Sequence, residues 1–133
     1  MLDVGRRQME SSGTIKSHRD LVVWQKAMNL AVAIYQLGKG FPKEETYGLT
    51  SQSRRASAPI PANIAEGQGR RSAKEFQQFL ANARGSLLEL DTHMELALRL
   101  GYMDKGQHAT LQEKIDEVGR LLNGLIRSLS SKI

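Results

Sequence analysis

The sequence predicts an all-α protein, an antiparallel up-down-up-down bundle of four helices. Four segments carry apolar residues at the spacing of one helix face, short breaks separate them, and no alternating run rich in Val, Ile or Thr indicates a strand. The chain has 133 residues, which suits one domain with a substantial core. We place this domain at residues 17–133 and interpret residues 1–16, which show no sustained period, as a disordered leader.

The first helix is predicted from the apolar residues that follow position 20. Ser17 or Asp20 can cap its start, and the glycine- and proline-containing run 38–42 ends it. We interpret its two aromatic residues as part of the core. The apolar residues at the spacing of one face are Leu21, Trp24, Met28, Ala31 and Tyr35.

The second helix, from about Glu44 to Glu66, contains two prolines in its interior. Proline has no backbone N–H, and in a helix interior it costs about 3 kcal/mol. We therefore expect the second helix to be kinked near Pro59 and Pro61, which leave the carbonyls of Arg55 and Ser57 without partners. Its apolar line is Leu49, Ser53, Ala56, Ile60 and Ile64.

The third and fourth helices have longer apolar lines. A capping box of Ser72 and Glu75 begins the third helix, Gly101 stops it, and a weaker capping pair of Asp104 and Gln107 begins the fourth. The third line is Phe76, Phe79, Leu80, Ala83, Leu87, Leu90, Met94, Ala97 and Leu98. The fourth line is Leu111, Ile115, Val118, Leu122, Leu125 and Leu129.

Four polar residues form a stripe beside the apolar line of the second helix. The polar stripe, Gln52, Arg55, Asn63 and Glu66, falls within about 80° at 100° per residue. We expect these groups to be half-buried and to need partners, because an unpaired buried polar group costs about 1–3 kcal/mol. Two interpretations stay open: a structural hydrogen-bond network that fixes helix register or a subunit contact, and a ligand or partner site.

Positive charge is concentrated between residues 50 and 74. The chain carries a net charge of +5 and a sequence pI of about 9.7. The predicted nucleic-acid-binding residues are Arg54, which projects away from the polar stripe, and the three cations around the start of the third helix, Arg70, Arg71 and Lys74. Because aromatic residues make up only 5% of the chain, we expect contacts to phosphate with weak sequence selectivity.

The sequence offers little for catalysis, metals or membranes. It has no cysteine, no histidine three residues after a glutamate, and no phosphate loop, so we expect no enzyme, no cofactor and no metal. Glu89 and His93 are interpreted as a surface pair. No run approaches about 18 apolar residues, so we expect no membrane span. Without a secretory signal, a cytoplasmic protein is expected.

A second contact face is predicted on the third helix. Leu88 departs from the apolar line by about 120° and Gly85 by about 180°, taking 100° per residue. A leucine beside a glycine on the back of a helix suggests subunit packing, with harmless exposure as the alternative. We predict Gly85 and Leu88 as oligomer contacts.

Several motifs carry a resemblance to a known family. They are DLxxWQKA (20–27), FPxEExYGLTSQ (41–52), RRA (54–56), IPxNIAEG (60–67), GR (69–70) and GSLxEL (85–90). Over about residues 18–131 the chain resembles the four-helix-bundle proteins of the 23S ribosomal RNA intervening-sequence family, departing at Pro59, where serine is expected. That family is similar to the accessory protein of diversity-generating retroelements, which works with a reverse transcriptase and RNA. The resemblance implies a homopentamer of bundles and an association with nucleic acid.

Two functional hypotheses follow from these observations. The first is a non-enzymatic, oligomeric bundle that binds RNA or a nucleoprotein partner through its basic surface. The alternative is a protein-interaction scaffold with no nucleic-acid role, whose polar stripe only holds the ring of subunits together.

Overall fold

All four predicted helices are present in a computed structural model, which describes residues 15–133. They are α1 (Val22–Gly38), a second helix divided into α2 (Leu49–Ser57) and α3 (Pro59–Gln68), α4 (Ala73–Arg99) and α5 (Lys105–Ser130). Short 3-10 turns occupy His18–Asp20 and Lys43–Glu45. The described residues contain no strand, so the all-α prediction is confirmed. Residues 1–14 of the predicted leader lie outside the described residues.

The helices pack as the corners of a square. α1 packs against the second helix and α5, and α4 packs against the second helix and α5 on the other side. α1 and α4 therefore lie at opposite corners, with the second helix and α5 between them. This arrangement is compatible with the predicted up-down-up-down topology.

The predicted bend in the second helix is confirmed. α2 ends at Ser57 and α3 begins at Pro59, while Ala58 between them keeps helical angles, φ −61° and ψ −37°. The two prolines remove two backbone donors, so the helix is interrupted at Ala58. The Asn63 side-chain amide donates to the Pro59 carbonyl at 2.8 Å.

The second helix begins later than the predicted Glu44. Lys43–Glu45 forms a separate 3-10 turn, and α2 begins at Leu49. The Glu45 carboxylate accepts a hydrogen bond of 3.0 Å from the Leu49 N–H, which is one of the unpaired donors at the start of α2. Glu45 thus caps this helix from outside it, whereas the sequence analysis placed Glu45 in its first turn.

Three of the four predicted apolar lines face the core. Every member of the lines of the second helix and α5 is buried, as are seven of the nine in α4, with Phe79 and Leu98 half-buried. The line predicted for α1 is only partly right, because Leu21 is buried and Trp24 packs half-buried against the core, whereas Met28 and Tyr35 do not. The residues of α1 that are buried are Val23, Ala27, Leu30 and Ile34. Met28 and Tyr35 instead remain 37% and 44% exposed. α1 carries apolar residues on two faces, and spacing alone does not tell which one meets the core.

The predicted residues lie at the ends of α4 and α5, but the relative strength of the two capping pairs differs from the prediction. Ser72 accepts a hydrogen bond from the Glu75 N–H at 3.1 Å, and Gly101 ends α4 with a φ of +80°. The pair predicted to be weaker forms a complete capping box: Asp104 accepts from the Gln107 N–H at 2.7 Å, and Gln107 accepts from the Asp104 N–H at 3.0 Å. Ser17 caps the first 3-10 turn rather than α1.

Candidate nucleic-acid interface

Arg70, Arg71 and Lys74 lie together where α3 passes into α4, and we call them the basic turn. Arg70 is held from two sides. Its guanidinium carbon lies 4.6 Å from the centroid of the Phe79 ring, and one nitrogen lies 3.7 Å from the Glu66 carboxylate. Its side chain nevertheless remains 45% exposed. The contact with Phe79 therefore orients a cation that solvent can still reach.

Arg71 and Lys74 carry the uncompensated charge of the basic turn. Both are exposed, and neither forms an ion pair with another described residue. Both lie beside the N-terminus of α4, where Ser72 occupies the N-cap and the helix dipole attracts negative charge. The basic turn thus presents two free cations and one oriented cation at a position that suits an anion.

Arg54 does not join the basic turn. It is half-buried and turned towards α1, where its Nη2 donates to the Tyr35 carbonyl at 3.0 Å. Its guanidinium carbon also lies 5.1 Å from the centroid of the Tyr35 ring. The Lys39 N–H, which would bond to the Tyr35 carbonyl in a continuing helix, donates to the Gln36 carbonyl instead. Arg54 therefore supplies a donor to the Tyr35 carbonyl, one of the last carbonyls of α1. These contacts hold Arg54 against α1, and its assignment as a nucleic-acid-binding residue stays a prediction.

Three members of the polar stripe line one open groove at the bend, of about 490 Å³. We call it the bend groove. Its lining residues are Tyr35, Arg54, Arg55, Ala58, Pro59, Ala62, Asn63 and Glu66. Gln52, the fourth member of the stripe, is not among them. The structure thus brings Arg55, Asn63 and Glu66 together on one surface.

The polar stripe is less buried than its spacing predicts. Gln52, Arg55 and Glu66 are exposed, and only Asn63 is half-buried. The side chains of Gln52 and Arg55 have no hydrogen-bond or ion-pair partner among residues 15–133. The expectation of half-burial is therefore wrong for three residues, because none of the described helices covers this face. A role of the stripe in a subunit contact or a partner site stays a prediction.

Gly85 and Leu88 both lie on the outer face of α4. Leu88 is 61% exposed, and a Cβ atom added to Gly85 would meet no atom within 4 Å. Nothing within residues 15–133 covers either residue. Their assignment as oligomer contacts stays a prediction.

One contact that the sequence analysis missed joins two loops at one end of the bundle. The Tyr102 hydroxyl donates to Glu45 at 2.7 Å. The pKa of Glu45 lies below its usual value because the Leu49 N–H and this hydroxyl both bond to the carboxylate. The same bond raises the pKa of Tyr102. The two residues are 57 positions apart, so no local sequence pattern could have indicated the pair.

His93 is buried, with 9% of its surface exposed, so its interpretation as part of a surface pair is wrong. His93 lies between Leu90 and Met94 on the buried side of α4. Its Nε2 atom lies 3.9 Å from the Glu89 carboxylate. In the part of the chain that the structure describes, no group of three His, Cys, Asp or Glu residues could hold a metal ion. Nor does any helix within residues 15–133 have the length and apolar character to cross a membrane.

Comparison with known proteins gives matches of two kinds, to a family model and to solved structures. The family model described as "23S rRNA-intervening sequence protein" matches residues 19–124. No curated protein matches this chain. A similar solved structure is a protein of unknown function from the S23 ribosomal protein family of Bacteroides thetaiotaomicron. It is 27% identical, with a TM-score of 0.74, and the match covers 79% of this chain and 98% of that one.

Proposed function

Since this chain belongs to the family of 23S rRNA-intervening sequence proteins, we propose that it is a non-enzymatic homopentamer that binds structured RNA in the cytoplasm. The basic turn is the RNA contact. The observation that carries the proposal is the placement of Arg71 and Lys74, exposed and unpaired beside the N-terminus of α4. Polyanions bind such positions through phosphate contacts and the release of counterions.

The basic turn is suited to contacts with phosphate groups rather than with bases. The nearest aromatic ring, Phe79, is half-buried and has Arg70 over its face, so it offers no free surface on which a base could stack. Three cations on a short turn can each meet a phosphate oxygen. We therefore propose that the protein recognises the shape and charge of folded RNA with weak sequence preference.

Assembly strengthens this contact. In a ring of five chains the basic turn is repeated around the symmetry axis, and each copy adds to the attraction of one extended RNA. Several modest contacts per chain then suffice for tight binding by the ring.

Binding of a fluorescently labelled RNA stem-loop at low salt tests the proposal. The test variant replaces Arg70, Arg71 and Lys74 with Ala. The control variant replaces Lys105, Lys114 and Arg120, three exposed cations of α5, with Ala and lowers the net charge by the same amount. We expect the test variant to lose at least tenfold in affinity and the control to stay within about threefold of wild type.

Circular dichroism and light scattering on the same samples show that fold and assembly are intact. Equal losses in both variants would mean that only net charge matters and that the basic turn is not the site. A wild-type protein that does not bind the stem-loop at low salt would contradict the RNA-binding proposal and favour the scaffold.

A further inference from the structure

We infer that neighbouring copies of this chain pack the outer face of α4 against the outer face of α1, in a head-to-tail contact. The inference rests on the self-association in the proposed function and assigns the two surfaces that make it. The α4 strip is Ala81, Gly85, Leu88, Thr92 and Leu96, all exposed. The α1 groove, of about 520 Å³, is formed by Met28, Ala31, Val32, Tyr35, Ala58 and Pro61.

The α1 groove is an apolar surface that this chain leaves uncovered. Val32 is 52% exposed, and Met28 and Tyr35 are exposed on either side of it. Pro61 and Ala58 form the opposite wall, at the bend of the second helix. Since α1 already buries one face in the core, the exposed parts of Met28 and Val32 on this second apolar face are left uncovered by residues 15–133. A contiguous apolar surface of this kind typically marks a contact with another protein.

The α4 strip has the shape that a groove of this kind accepts. Its five residues lie within about 80° of one another at 100° per residue, so they form one line along the helix. Gly85 lies in the middle of α4, where glycine is less favourable than alanine. Since a Cβ there would meet no atom of the described residues within 4 Å, the close approach of another chain explains the missing side chain. Leu88 beside it supplies the apolar side chain that enters the groove.

The position of the two surfaces in the bundle determines the kind of contact. α1 and α4 lie at opposite corners of the square, so the groove and the strip are on opposite sides of the molecule. A contact between them uses two different surfaces of each copy. Such a head-to-tail contact leaves one free surface at each end, and it closes when the copies form a ring. A two-fold dimer through either surface would leave the other one uncovered.

The charges beside the two surfaces are complementary. Lys39 lines the α1 groove, and Arg55 lies in the adjoining bend groove without a partner in the described part of the chain. Carboxylates flank the α4 strip, with Glu89 on one edge and Asp91 on the other, and the Glu89 side chain is 61% exposed. The cations of the same face are bonded within the chain, Arg84 to Asn123 and Arg99 to Glu95. Opposite signs at the rims favour the strip of one copy in the groove of the next over either surface paired with itself. A second copy of the chain is therefore the occupant that we propose.

Light scattering on two variants and their mixture tests the inference. Val32→Asp places a charge in the α1 groove, and Leu88→Asp places one on the α4 strip. We expect each variant alone to have the mass of a single 14.8 kDa chain. Each variant keeps the surface that the other lacks, so an equimolar mixture should give a heterodimer of twice that mass. Ala109→Asp, at an exposed position near the start of α5, is the control and should keep the wild-type mass.

Cross-linking gives a second readout, because the chain has no cysteine of its own. We expect a short bis-maleimide to join Val32→Cys to Leu88→Cys in a mixture far more efficiently than it joins either variant to itself. Since both positions are exposed, the variants should keep the helical content of the wild type in circular dichroism.

The outcomes separate this inference from the rest of the proposed function. An oligomer that survives both Val32→Asp and Leu88→Asp would overturn the inference and leave the proposed assembly standing. Loss of assembly in only one of the two variants, with self-cross-linking at that position, would mean a two-fold contact instead. A wild-type chain that remains a monomer at 100 μM, the concentration chosen as the upper limit of the assay, would contradict both. RNA binding is measured separately and decides the role of the basic turn.

Discussion

Two helices approach each other closely at Gly67, and Gly67→Ala tests whether the approach is as tight as the structure shows. Gly67 is buried in α3 and faces α4. An added Cβ would lie 2.7 Å from the Cβ of Phe79, 3.0 Å from Cδ1 of Phe76 and 3.3 Å from its carbonyl oxygen. Carbon atoms in good contact are about 3.5–4.0 Å apart. Because the Phe79 Cβ is fixed to the backbone, α3 and α4 would have to separate by roughly 1 Å.

Two opposing effects determine the result. Overpacking of this kind costs about 1–3 kcal/mol, and replacing glycine by alanine within a helix returns up to about 1 kcal/mol. We therefore expect Gly67→Ala to lower the free energy of unfolding by about 1 kcal/mol. For a chain of this length the melting temperature should fall by roughly 3–6 °C.

Gly119→Ala is the matched control for this measurement. A Cβ at Gly119 in α5 would lie 3.5 Å from Cδ2 of Leu87, an ordinary contact. We expect this variant to gain about 0.5–1 kcal/mol from helix propensity alone. Urea unfolding followed by circular dichroism compares the two. A Gly67→Ala protein that is stabilised as much as Gly119→Ala would refute the close approach of α3 and α4.

Three further predictions concern contacts that the structure shows directly. Asp104→Ala removes the capping box of α5 and should lower the free energy of unfolding by about 1 kcal/mol in urea. Arg54→Ala removes the donor to the Tyr35 carbonyl and should speed amide hydrogen exchange at the end of α1 while the rest of the bundle keeps its protection. The pKa of Glu45 is lowered, chiefly by the Leu49 N–H, so its stabilising effect is present above the ordinary value of about 4.5 and is lost as the pH falls through the folded-state pKa. The melting temperature of Glu45→Gln should therefore fall less steeply than that of wild type below pH 4.5.

Each of these has a clear contrary result. An Asp104→Ala protein as stable as wild type would mean that the cap contributes nothing. Unchanged exchange in Arg54→Ala would show that solvent replaces the guanidinium at no cost. Parallel acid profiles for wild type and Glu45→Gln would show that other carboxylates account for the acid sensitivity.

The fold could be predicted because the apolar residues of each helix repeat at the spacing of a helix face. In α5 and the second helix one face holds every large apolar residue that the core needs, so periodicity alone identifies it. α1 differs because it has two apolar faces, and only the neighbouring helices decide that Leu30 and Ile34 are buried while Met28 and Tyr35 are exposed. The second apolar face of α1, which made the predicted line partly wrong, is the face that lines the α1 groove.

The candidate site was only partly predictable. The basic turn is a local feature: Arg70 and Lys74 are four residues apart, and the Ser72 cap places them at a helix start. Arg54 could not be placed from sequence, because its partner, Tyr35, is 19 positions away on another helix. A helical wheel gives directions around one helix, but it does not show which directions a neighbouring helix covers.

The salt dependence of RNA binding tests the central claim most directly. Each phosphate contact contributes about 0.7–0.9 to the slope of log affinity against log salt concentration. For the labelled stem-loop, replacing Arg70, Arg71 and Lys74 with Ala should therefore flatten that slope by about two or more for each chain that contacts the RNA, with little change in sequence preference. A slope equal to that of wild type would show that the basic turn does not contact phosphate, and would contradict the account.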